Sequence, residues 1–480
     1  DDWEKALPLR LRADHPLWQR MLALYRRAAE RMAGKMLLSP PDLHTNMDLL
    51  AAVRGAETPR PAWLPFVGTH GAKLLGTDAE SYLKSPDAIV AGLLKARDLY
   101  RPDGLPVVFD LQLEAEILGC DLVWAPKGPP SVASHPLELG GGPEDLPVFD
   151  LSAGRFPIVR EALARVKGQI GEEVALYGLI TGPFTLALHL AGPTIFLTMF
   201  DEPEKVRELL RFAADVGRRT AAFYLENGAD VVAVVDPMTS QISPEHFREF
   251  VADPANAVFD AIREQGGLGS LFVCGDATRN LAELVATRCD NLSVDENIDL
   301  AYLRDLARPA GKSVGGNLKL TSVLLLGTPD DARLDAIRCI DVCGSEGFVL
   351  APGCDLPFDV PPENLQAVAE MVHDEYRRDV ARATLTAPTL DLGSVELPDY
   401  ASEADVVVDV ITLNSETCAP CQYMVDAVRR AVAQVGEGVR FQEHKIVTRD
   451  GLCVMAALGV GNLPTICIDG KPEFVSIIPD

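Results

Sequence analysis

Four cysteines stand in sequence patterns that could support chemistry. Cys274 and Cys354 each follow a short apolar run, and Cys418 and Cys421 form a Cys-x-x-Cys pair at the start of a segment with helical spacing. Thiols can bind a soft metal such as zinc, act as nucleophiles, or cycle between a dithiol and a disulfide. The sequence around each pair indicates which of these uses applies.

The first pair belongs to a long region in which short apolar runs alternate with amphipathic stretches, from about residue 49 to residue 385. The runs are rich in Val, Leu and Ile, which is typical of parallel strands buried on both faces. Eight such units predict an α/β fold, a (β/α)₈ TIM barrel with insertions. A doubly wound open sheet is the alternative, although no Gly-x-Gly-x-x-Gly follows a first strand. The predicted strands are Ala62–Val67, Pro106–Asp110, Val174–Ile180, Val231–Asp236, Leu271–Cys274, Asn291–Val294, Ser313–Gly316 and Phe348–Ala351.

In such a barrel the carboxyl ends of the strands form one mouth, where active sites lie. Polar and metal-capable residues stand at these ends, and an aspartate that ends an apolar strand needs a polar destination. The predicted site consists of Asp110, His70 and Asp236 as catalytic residues, Thr181 and Asn317 as substrate-binding residues, and Cys274 with Cys354 as a pair that could share a metal. Segment 112–157 passes over the same face as either a lid or a surface loop.

Composition limits the classes of function. A chain of 480 residues is too long for one hydrophobic core, which predicts more than one domain. The net charge of −26 and the pI of about 4.7 argue against nucleic-acid binding and against anionic membrane surfaces. The chain begins at Asp1, which suggests a trimmed sequence, and shows neither an export signal nor a membrane-spanning run. Ten cysteines without an export signal predict a reducing, cytoplasmic location.

The flanking regions have their own patterns. Residues 1–48 predict an N-terminal helical arm, residues 386–403 lack periodicity and predict a linker, and residues 404–480 predict a second, possibly truncated α/β domain. In that domain a strand leads into the Cys-x-x-Cys pair and a helix. A helix N-terminus lowers the pKa of a nearby thiol, so Cys418 is the predicted attacking thiol of a redox pair.

Two further features bear on this pair. Pro464 precedes a predicted strand and is a candidate cis-proline facing Cys418 and Cys421. A zinc knuckle is the alternative use of the two thiols, but it needs a second Cys/His pair, and none stands nearby at suitable spacing. The sequence therefore favours a thiol–disulfide redox pair.

These motifs carry a family resemblance. Residues 49–385 resemble the uroporphyrinogen decarboxylase superfamily, and residues 404–480 resemble thioredoxin. The matching motifs are Arg54-Gly55, Pro61-Ala62-Trp63, Val108-Phe109-Asp110-Leu111, Ile180-Thr181-Gly182-Pro183-Phe184, Asn317 and Pro361-Pro362-Glu363-Asn364 in the first region, and Cys418-Ala419-Pro420-Cys421 and Leu463-Pro464-Thr465 in the second. The resemblance implies a TIM barrel of the uroporphyrinogen decarboxylase type with a fused, thioredoxin-like redox domain.

The superfamily has two branches, and the chain departs from both. Decarboxylases bind an eight-carboxylate porphyrinogen with arginines after the first strand and a histidine after the last. Here Phe66–Gly71 occupies the arginine position and Cys354 the histidine position, although Asp110 is retained. Corrinoid:thiol methyltransferases hold zinc with a His-x-Cys and a second cysteine; Cys274 and Cys354 match these cysteines, whereas Phe272 replaces the histidine.

The resemblance is stronger to the methyltransferase branch. It implies an enzyme that moves a methyl group between a corrinoid, free or held by a partner protein, and a small thiol activated by zinc. A third zinc ligand would come from Asp236, Asp276 or His70, or zinc is not bound. The alternatives are a uroporphyrinogen decarboxylase and a non-catalytic module that binds a corrinoid or tetrapyrrole.

Overall fold

The computed structural model describes residues 46–386 and 395–477. The contacts divide the chain into two compact units, Asp1–His44 and Thr45–Asp480, and the described residues all belong to the second. The predicted N-terminal arm, residues 1–48, therefore lies almost wholly outside the described residues, as does part of the predicted linker, residues 387–394.

Eight parallel strands form the main sheet, in the order β1-β10-β9-β8-β7-β6-β5-β2. The sheet curls into a nearly closed barrel surrounded by helices, which confirms the predicted (β/α)₈ fold and excludes the open sheet. Its strands are β1 Ala62–Trp63, β2 Gly104–Pro106, β5 Ala175–Thr181, β6 Val231–Val235, β7 Leu268–Val273, β8 Asn291–Val294, β9 Ser313–Leu318 and β10 Phe348–Pro352. All eight overlap or adjoin a predicted strand, and nearly all their residues are buried, as an enclosed parallel sheet requires.

The seam of the barrel lies between β1 and β2. Asp103 bridges it: its backbone N–H donates to the Trp63 carbonyl at 2.9 Å, and its carboxylate accepts from the Trp63 N–H at 2.8 Å. Arg60 binds the same carboxylate through two hydrogen bonds of 2.7 Å. A buried carboxylate is costly unless it is paired in this way, so the ion pair stabilises the closure.

Helices surround the strands and bury their apolar faces against them. One hydrophobic cluster fills the barrel interior, and a larger one lies between strands and helices. The helices are Met47–Val53, His70–Leu75, Ala79–Leu83, Pro86–Tyr100, Leu113–Ile117, Phe156–Ile170, Pro183–Ala191, Ile195–Asp201, Pro203–Glu226, Pro244–His246, Ala252–Glu264, Leu281–Ala286, Leu300–Ala307, Pro329–Cys343, Pro362–His373, Glu375–Thr384, Ala419–Val435 and Arg449–Ala457.

No single helix within residues 46–386 and 395–477 is long and apolar enough to cross a membrane. The helices Pro183–Ala191 and Ile195–Asp201 meet the criteria of length and composition only when taken together, and they are bent by 99° relative to each other. Every residue of the first of these helices except Ala191 is buried in the barrel core.

The predicted excursion, residues 112–157, contains a hairpin that the sequence analysis did not identify. Its strands are β3 Leu122–Ala125 and β4 Gly128–Val132, which pair in antiparallel fashion outside the barrel sheet. The two prolines in β4 make this stretch of the sequence resemble a loop. In the structure, residues of both strands are partly exposed. The hairpin supports the C-terminal domain.

Residues 395–477, called the C-terminal domain below, contain a separate four-stranded sheet in the order β12-β11-β13-β14. These strands are β11 Val406–Thr412, β12 Val439–Lys445, β13 Thr465–Ile468 and β14 Lys471–Val475. The helix Ala419–Val435 connects β11 to its parallel neighbour β12, whereas β13 pairs with β11 in antiparallel fashion. The predicted strand that leads into the Cys-x-x-Cys pair and a helix corresponds to β11 and the helix Ala419–Val435.

The C-terminal domain is docked on the barrel. Side chains of its helix, Tyr423 and Met424 among them, belong to the same hydrophobic cluster as the barrel shell. The Gln422 side chain donates to the Val132 carbonyl at 2.6 Å, and the Asn462 amide donates to Asp276 at 2.8 Å. The interface therefore combines apolar packing with direct polar contacts.

Gly128 is the point of closest approach in this interface. A Cβ atom added there would lie 2.1 Å from the Thr417 Cγ2 atom and 2.9 Å from its Cβ, closer than packed atoms can come. Thr417 precedes Cys418, which caps the helix Ala419–Val435. The absence of a side chain at Gly128 therefore allows the hairpin to contact the loop that carries the Cys-x-x-Cys pair.

We expect Gly128→Val to loosen this interface without unfolding the barrel. Overpacking costs about 1–3 kcal/mol, which raises the undocked population by roughly 5- to 150-fold. The rate of alkylation of Cys418, measured by mass spectrometry, should rise accordingly. Gly168→Ala is the matched control, because an added Cβ there meets nothing within 4 Å. An unchanged alkylation rate in Gly128→Val would show that the contact does not hold the domain in place.

Candidate functional site

The barrel mouth brings Cys274 and Cys354 together. Cys274 directly follows β7 and Cys354 lies two residues after β10, and β8 and β9 separate these strands. In a flat sheet, three strand spacings would hold the two strand ends about 14 Å apart. The curvature of the barrel turns both side chains to the same side, and their Sγ atoms lie 2.7 Å apart. Both are free thiols and half-buried.

An aromatic cluster forms the floor beneath this pair. Phe272 is fully buried; its ring stacks on Phe66 with centroids 4.8 Å apart, and Phe109 meets it edge-on at 6.0 Å. Phe272 is the residue found where the zinc histidine of the methyltransferase branch was expected. Its place in the barrel interior shows why the position is apolar here: the ring fills the space under the mouth and excludes water.

The thiols open into a cavity of about 370 Å³ between the barrel mouth and the C-terminal domain. Both domains contribute to its walls, and the lining includes both cysteine pairs, Pro464, Asp355 and Gln112. Lys127 is the cationic side chain among the described residues of the lining, and it is paired with Asp359 at 2.6 Å. The cavity is thus of a size suited to a small molecule.

The loops that carry the two thiols are fixed by backbone contacts. The Asp295 carboxylate accepts from the Gly275 N–H at 2.9 Å, which holds the turn after Cys274. Gly353 precedes Cys354 and packs against the loop that follows β8, because a Cβ atom added to it would lie 2.5 Å from the Glu296 backbone nitrogen. Neither turn can move without disturbing the loop after β8, so the thiols are held in place by the barrel itself.

Burial and close pairing make Cys274 a poor acid. The hydrogen bond with Cys354, burial, and the negative charges that Cys354 and Asp295 can carry all raise its pKa well above the usual value of a thiol. Loss of two protons from such a pair would place two charges side by side. The pair therefore retains at least one proton at neutral pH.

The C-terminal domain places the second pair of thiols on the opposite wall of the cavity. Cys418 is half-buried at the start of the helix Ala419–Val435, and Cys421 is buried in its first turn. The Leu463–Pro464 peptide bond is cis, as predicted. The prediction of a lowered pKa for Cys418 is wrong: the hydrogen bond with Cys421 and burial raise it well above the usual value, and they outweigh the helix N-terminus.

Asp355 was not singled out from the sequence, although it directly follows Cys354. It lines the cavity, and its Oδ1 atom is buried without a hydrogen-bond partner. Burial raises the pKa of this carboxyl group well above its ordinary value. The folded structure therefore favours the protonated form of this carboxyl group.

His70, predicted as catalytic, lies outside the lining of the cavity. Its ring is fully buried, with Nε2 2.8 Å from the Tyr100 hydroxyl and Nδ1 3.1 Å from the Phe358 carbonyl. Burial lowers its pKa to about 4, so the ring is neutral near pH 7. These contacts give His70 a supporting place in the helix that follows β1, and a catalytic role stays a prediction.

Asp236, also predicted as catalytic, acts as a cap for the helix Pro183–Ala191. Its carboxylate accepts from the Phe184 N–H at 3.1 Å and from the N–H and hydroxyl of Thr185 at 2.8 and 2.6 Å. Burial raises its pKa to about 6. Because its oxygens are occupied by these donors, Asp236 is poorly placed to bind a metal.

Asp110 is committed to a buried ion pair. It binds the Arg155 guanidinium, which also contacts Glu116 at 2.8 Å, and it accepts from the Gln112 N–H at 2.9 Å. Gln112 lines the cavity whereas Asp110 lies behind it. The carboxylate of Asp110 is thus bound by Arg155 and by the Gln112 N–H, as expected for a buried aspartate at a strand end. A direct catalytic role stays a prediction.

Thr181 and Asn317, the predicted substrate-binding residues, bind other groups of the protein, and the Thr181 hydroxyl lies 2.9 Å from the Glu114 carboxyl group. The Thr181 hydroxyl donates to the Leu111 carbonyl at 2.7 Å. The Asn317 amide donates to the carbonyls of Asp295 and Ile298 at 3.1 and 2.7 Å. Asn317 thereby holds the loop whose Asp295 fixes Gly275. Asn317 thus helps to position Cys274. A contact with substrate stays a prediction.

Zinc was the implied cofactor, and the donor set does not fit it. Catalytic zinc sites in proteins use three protein ligands and an open position. The described residues contain no group of three or more His, Cys, Asp or Glu side chains that could hold a metal ion. Of the suggested third ligands, His70 and Asp236 are occupied as described, and Asp276 binds Asn462 and the Thr278 N–H at 3.0 Å. Two thiols alone leave the site short of a ligand.

The structure is thus a parallel (β/α)₈ barrel with a pair of thiols at its mouth. Residues 44–375 match the family described as uroporphyrinogen decarboxylase (URO-D). Because this match spans more than half of the chain, the protein belongs to the uroporphyrinogen decarboxylase family.

The chain is similar to both methyltransferases and decarboxylases of this family. The chain is 31% identical over 271 residues to the methylcobamide:CoM methyltransferase MtbA of Methanosarcina acetivorans, covering 56% of this chain and 78% of that protein. It is 25% identical over 340 residues to the uroporphyrinogen decarboxylase of Prochlorococcus marinus, covering 67% and 95%. The solved structure of a methyltransferase from Methanosarcina mazei matches with a TM-score of 0.63 and 25% identity, covering 70% of this chain and all of that one.

We expect Asp355→Asn to flatten the dependence of stability on pH. A carboxyl whose pKa is raised in the folded state keeps its proton there while the unfolded chain loses it above about pH 4. The free energy of unfolding of the parent protein should therefore fall, relative to that of Asp355→Asn, as pH rises above about 4. The fall is at most about 1.4 kcal/mol per pH unit. Denaturant unfolding at pH 5, 6, 7 and 8 measures the difference.

Asp359→Asn is the control for this measurement, because it removes a half-exposed carboxylate from the rim of the same cavity. Parallel pH profiles for Asp355→Asn and the parent protein would contradict the raised pKa of Asp355. A profile changed equally by both substitutions would point to a general charge effect at the rim.

Proposed function

We propose that this protein is a methyltransferase that moves a methyl group between a corrinoid and a small thiol. The observation that carries the proposal is the Cys274–Cys354 pair at the barrel mouth, with sulfurs 2.7 Å apart over an aromatic floor. The named activity of the Methanosarcina relatives supports the same reaction class. The corrinoid is a substrate in this scheme, either free or carried by a partner protein.

Transfer of a methyl group to sulfur requires that the substrate thiol lose its proton as its sulfur attacks the methyl carbon. In the Cys274–Cys354 pair, a thiolate on one residue would accept a hydrogen bond from the thiol of the other. Such a thiolate can act as the general base that takes the proton of the substrate thiol. The aromatic floor keeps water away from the sulfur nucleophile.

Zinc, which the family resemblance implied, has no role in the proposed reaction. The described residues offer two thiols where three ligands are needed, and no step is assigned to a metal. Asp355 lines the same cavity, and its protonated form, which burial favours, can donate a hydrogen bond to a substrate there. Its proximity to Cys354 in sequence and its place in the cavity wall support a role in orienting the substrate.

We expect purified protein to consume methylcobalamin in the presence of a small thiol, followed by the change in its visible spectrum. Cys354→Ser and Cys274→Ser should each lower the rate at least about 100-fold, the usual range for loss of a general base. A panel of neutral, cationic and anionic thiols would define the acceptor.

Cys289→Ala is the matched control, because this buried thiol is not part of the cavity lining. Its rate should stay within about twofold of the parent rate. Equal rates in the parent protein and in both serine variants would overturn the role of the pair. Corrinoid binding without transfer to any thiol would instead support the non-catalytic binding module.

The alternative activity, decarboxylation of uroporphyrinogen, is disfavoured by charge. The substrate carries eight carboxylates, and no arginine lies among the described residues of the cavity lining. Phe66, which stands in the segment that replaces the family's arginines, is instead part of the aromatic floor. Each missing charge-assisted arginine contact forfeits about 1.5–3 kcal/mol.

We therefore expect no useful uroporphyrinogen decarboxylase activity. Loss of two arginine contacts, about 3–6 kcal/mol, weakens binding by roughly two to four orders of magnitude. Anaerobic incubation with uroporphyrinogen, followed by chromatography of the oxidised products, measures the reaction. Formation of coproporphyrin above the level of a protein-free control would contradict the prediction and would point to a polyanion site outside the cavity described here.

We further propose that the C-terminal domain is a thioredoxin-like redox module. Three features support this: a Cys-x-x-Cys pair at a helix start, a β-α-β arrangement in which that helix connects β11 to β12, and Pro464 in the wall of the same cavity. The first and second are typical of dithiol oxidoreductases. Formation of a reversible disulfide between Cys418 and Cys421 is the property this assignment requires.

A further inference from the structure

Two dithiol pairs from different domains face one cavity. Cys274 and Cys354 come from the barrel mouth, whereas Cys418 and Cys421 come from the C-terminal domain, and all four line the same space of about 370 Å³. Their charges act on one another: a charge on Cys418 raises the pKa of Cys274, and a charge on Cys354 raises that of Cys418. Because all four thiols line one cavity of this size, the two pairs lie near each other.

The interface holds this arrangement in place. The approach of Gly128 to Thr417 and the hydrogen bonds of Gln422 and Asn462 fix the Cys-x-x-Cys loop over the mouth. Fixed neighbours in one chain react at a high effective concentration, without a diffusional encounter. The same docking covers the barrel thiols, so a separate protein, whether a redox partner or a corrinoid carrier, would reach them only after the C-terminal domain had moved.

We propose that the Cys418–Cys421 pair is the intramolecular redox partner of the Cys274–Cys354 pair, and that the two pairs exchange a disulfide within one chain. The proposal builds on the redox assignment of the C-terminal domain and names its substrate, the barrel's own thiols. Its purpose, to keep those thiols reduced for methyl transfer, rests on the proposed function, but the exchange itself does not.

The exchange follows ordinary thiol–disulfide chemistry. The Cys418 thiolate attacks Sγ of Cys354 in an oxidised Cys274–Cys354 pair; an S–S bond forms between Cys418 and Cys354, and Cys274 leaves as a thiolate that takes up a proton. The Cys421 thiolate then attacks Sγ of Cys418 and releases Cys354 as a thiolate, which is protonated in turn. Two electrons and two protons have passed to the barrel pair, and the Cys418–Cys421 pair is left as a disulfide.

Two outside reactants complete the cycle. A two-electron oxidant such as a peroxide converts the barrel pair to a disulfide and is itself reduced to water. A soluble dithiol reductant converts the Cys418–Cys421 disulfide back to two thiols and becomes a disulfide itself. The lack of a third zinc ligand fits this use, because a thiol pair that cycles through a disulfide cannot at the same time hold a metal.

Removal of the resolving thiol should trap the intermediate. Full-length Cys421→Ser is oxidised with one equivalent of diamide, free thiols are blocked with N-ethylmaleimide, and the protein is digested without reduction. We expect mass spectrometry to find a peptide pair that joins Cys418 to Cys354 or to Cys274. Cys418→Ser is the matched control; it should show a Cys274–Cys354 disulfide and no link between the domains.

The outcome that overturns the proposal is equally specific. In Cys421→Ser, a Cys274–Cys354 disulfide beside a free Cys418, or Cys418 joined only to a second chain, would show that the pairs do not exchange. The test reads disulfides and not methyl transfer, so failure of the methyltransferase proposal leaves its result unaffected.

The unaltered chain provides a second measurement that does not depend on the folding of any variant. After one equivalent of diamide, the disulfide should be found at Cys418–Cys421, with both barrel thiols alkylated. A lasting Cys274–Cys354 disulfide beside a reduced Cys418–Cys421 pair would overturn the direction of electron flow that we propose.

Discussion

Closure of the barrel is the constraint on which the site depends. Cys274 and Cys354 follow strands that are three positions apart in the sheet, and a flat sheet would hold those strand ends about 14 Å apart. Curvature brings the sulfurs to 2.7 Å. The curvature persists because the seam between β1 and β2 is bridged by Asp103, whose buried carboxylate is neutralised by Arg60. The distance between two thiols at the mouth is thus set partly by an ion pair at the opposite ends of the strands.

The interior of the barrel explains why this mouth differs from that of its relatives. Phe66, Phe109 and Phe272 pack against one another beneath the thiols, and two of them occupy positions where the family's branches were expected to carry an arginine or a zinc histidine. These substitutions support one another physically, because each ring fills space that a charged side chain and its water would otherwise occupy. The same apolar packing disfavours a polyanionic substrate and deprives a metal of its third ligand.

The sequence predicted the fold well and the site only in part. Eight apolar runs at regular spacing predict the barrel strands because parallel strands buried on both faces leave that signature, and the thiols after two of them were placed correctly at one mouth. Strand-end position alone could not show that His70, Asp236 and Asn317 spend their hydrogen bonds on Tyr100, a helix N-terminus and a loop. Those partners lie far away in sequence, and only the folded chain reveals that they occupy the atoms a substrate would need.

The meeting of the two domains was also beyond sequence reasoning, and it changes what the four cysteines can do. A Cys-x-x-Cys at an exposed helix start would have a thiol made acidic by the helix dipole. In the docked domain, burial and the neighbouring sulfurs reverse the direction and keep Cys418 protonated. A disulfide between Cys274 and Cys354 would leave no charge on Cys354 and would remove only the smallest of the causes that raise the pKa of Cys418, because the hydrogen bond with Cys421 and burial would remain.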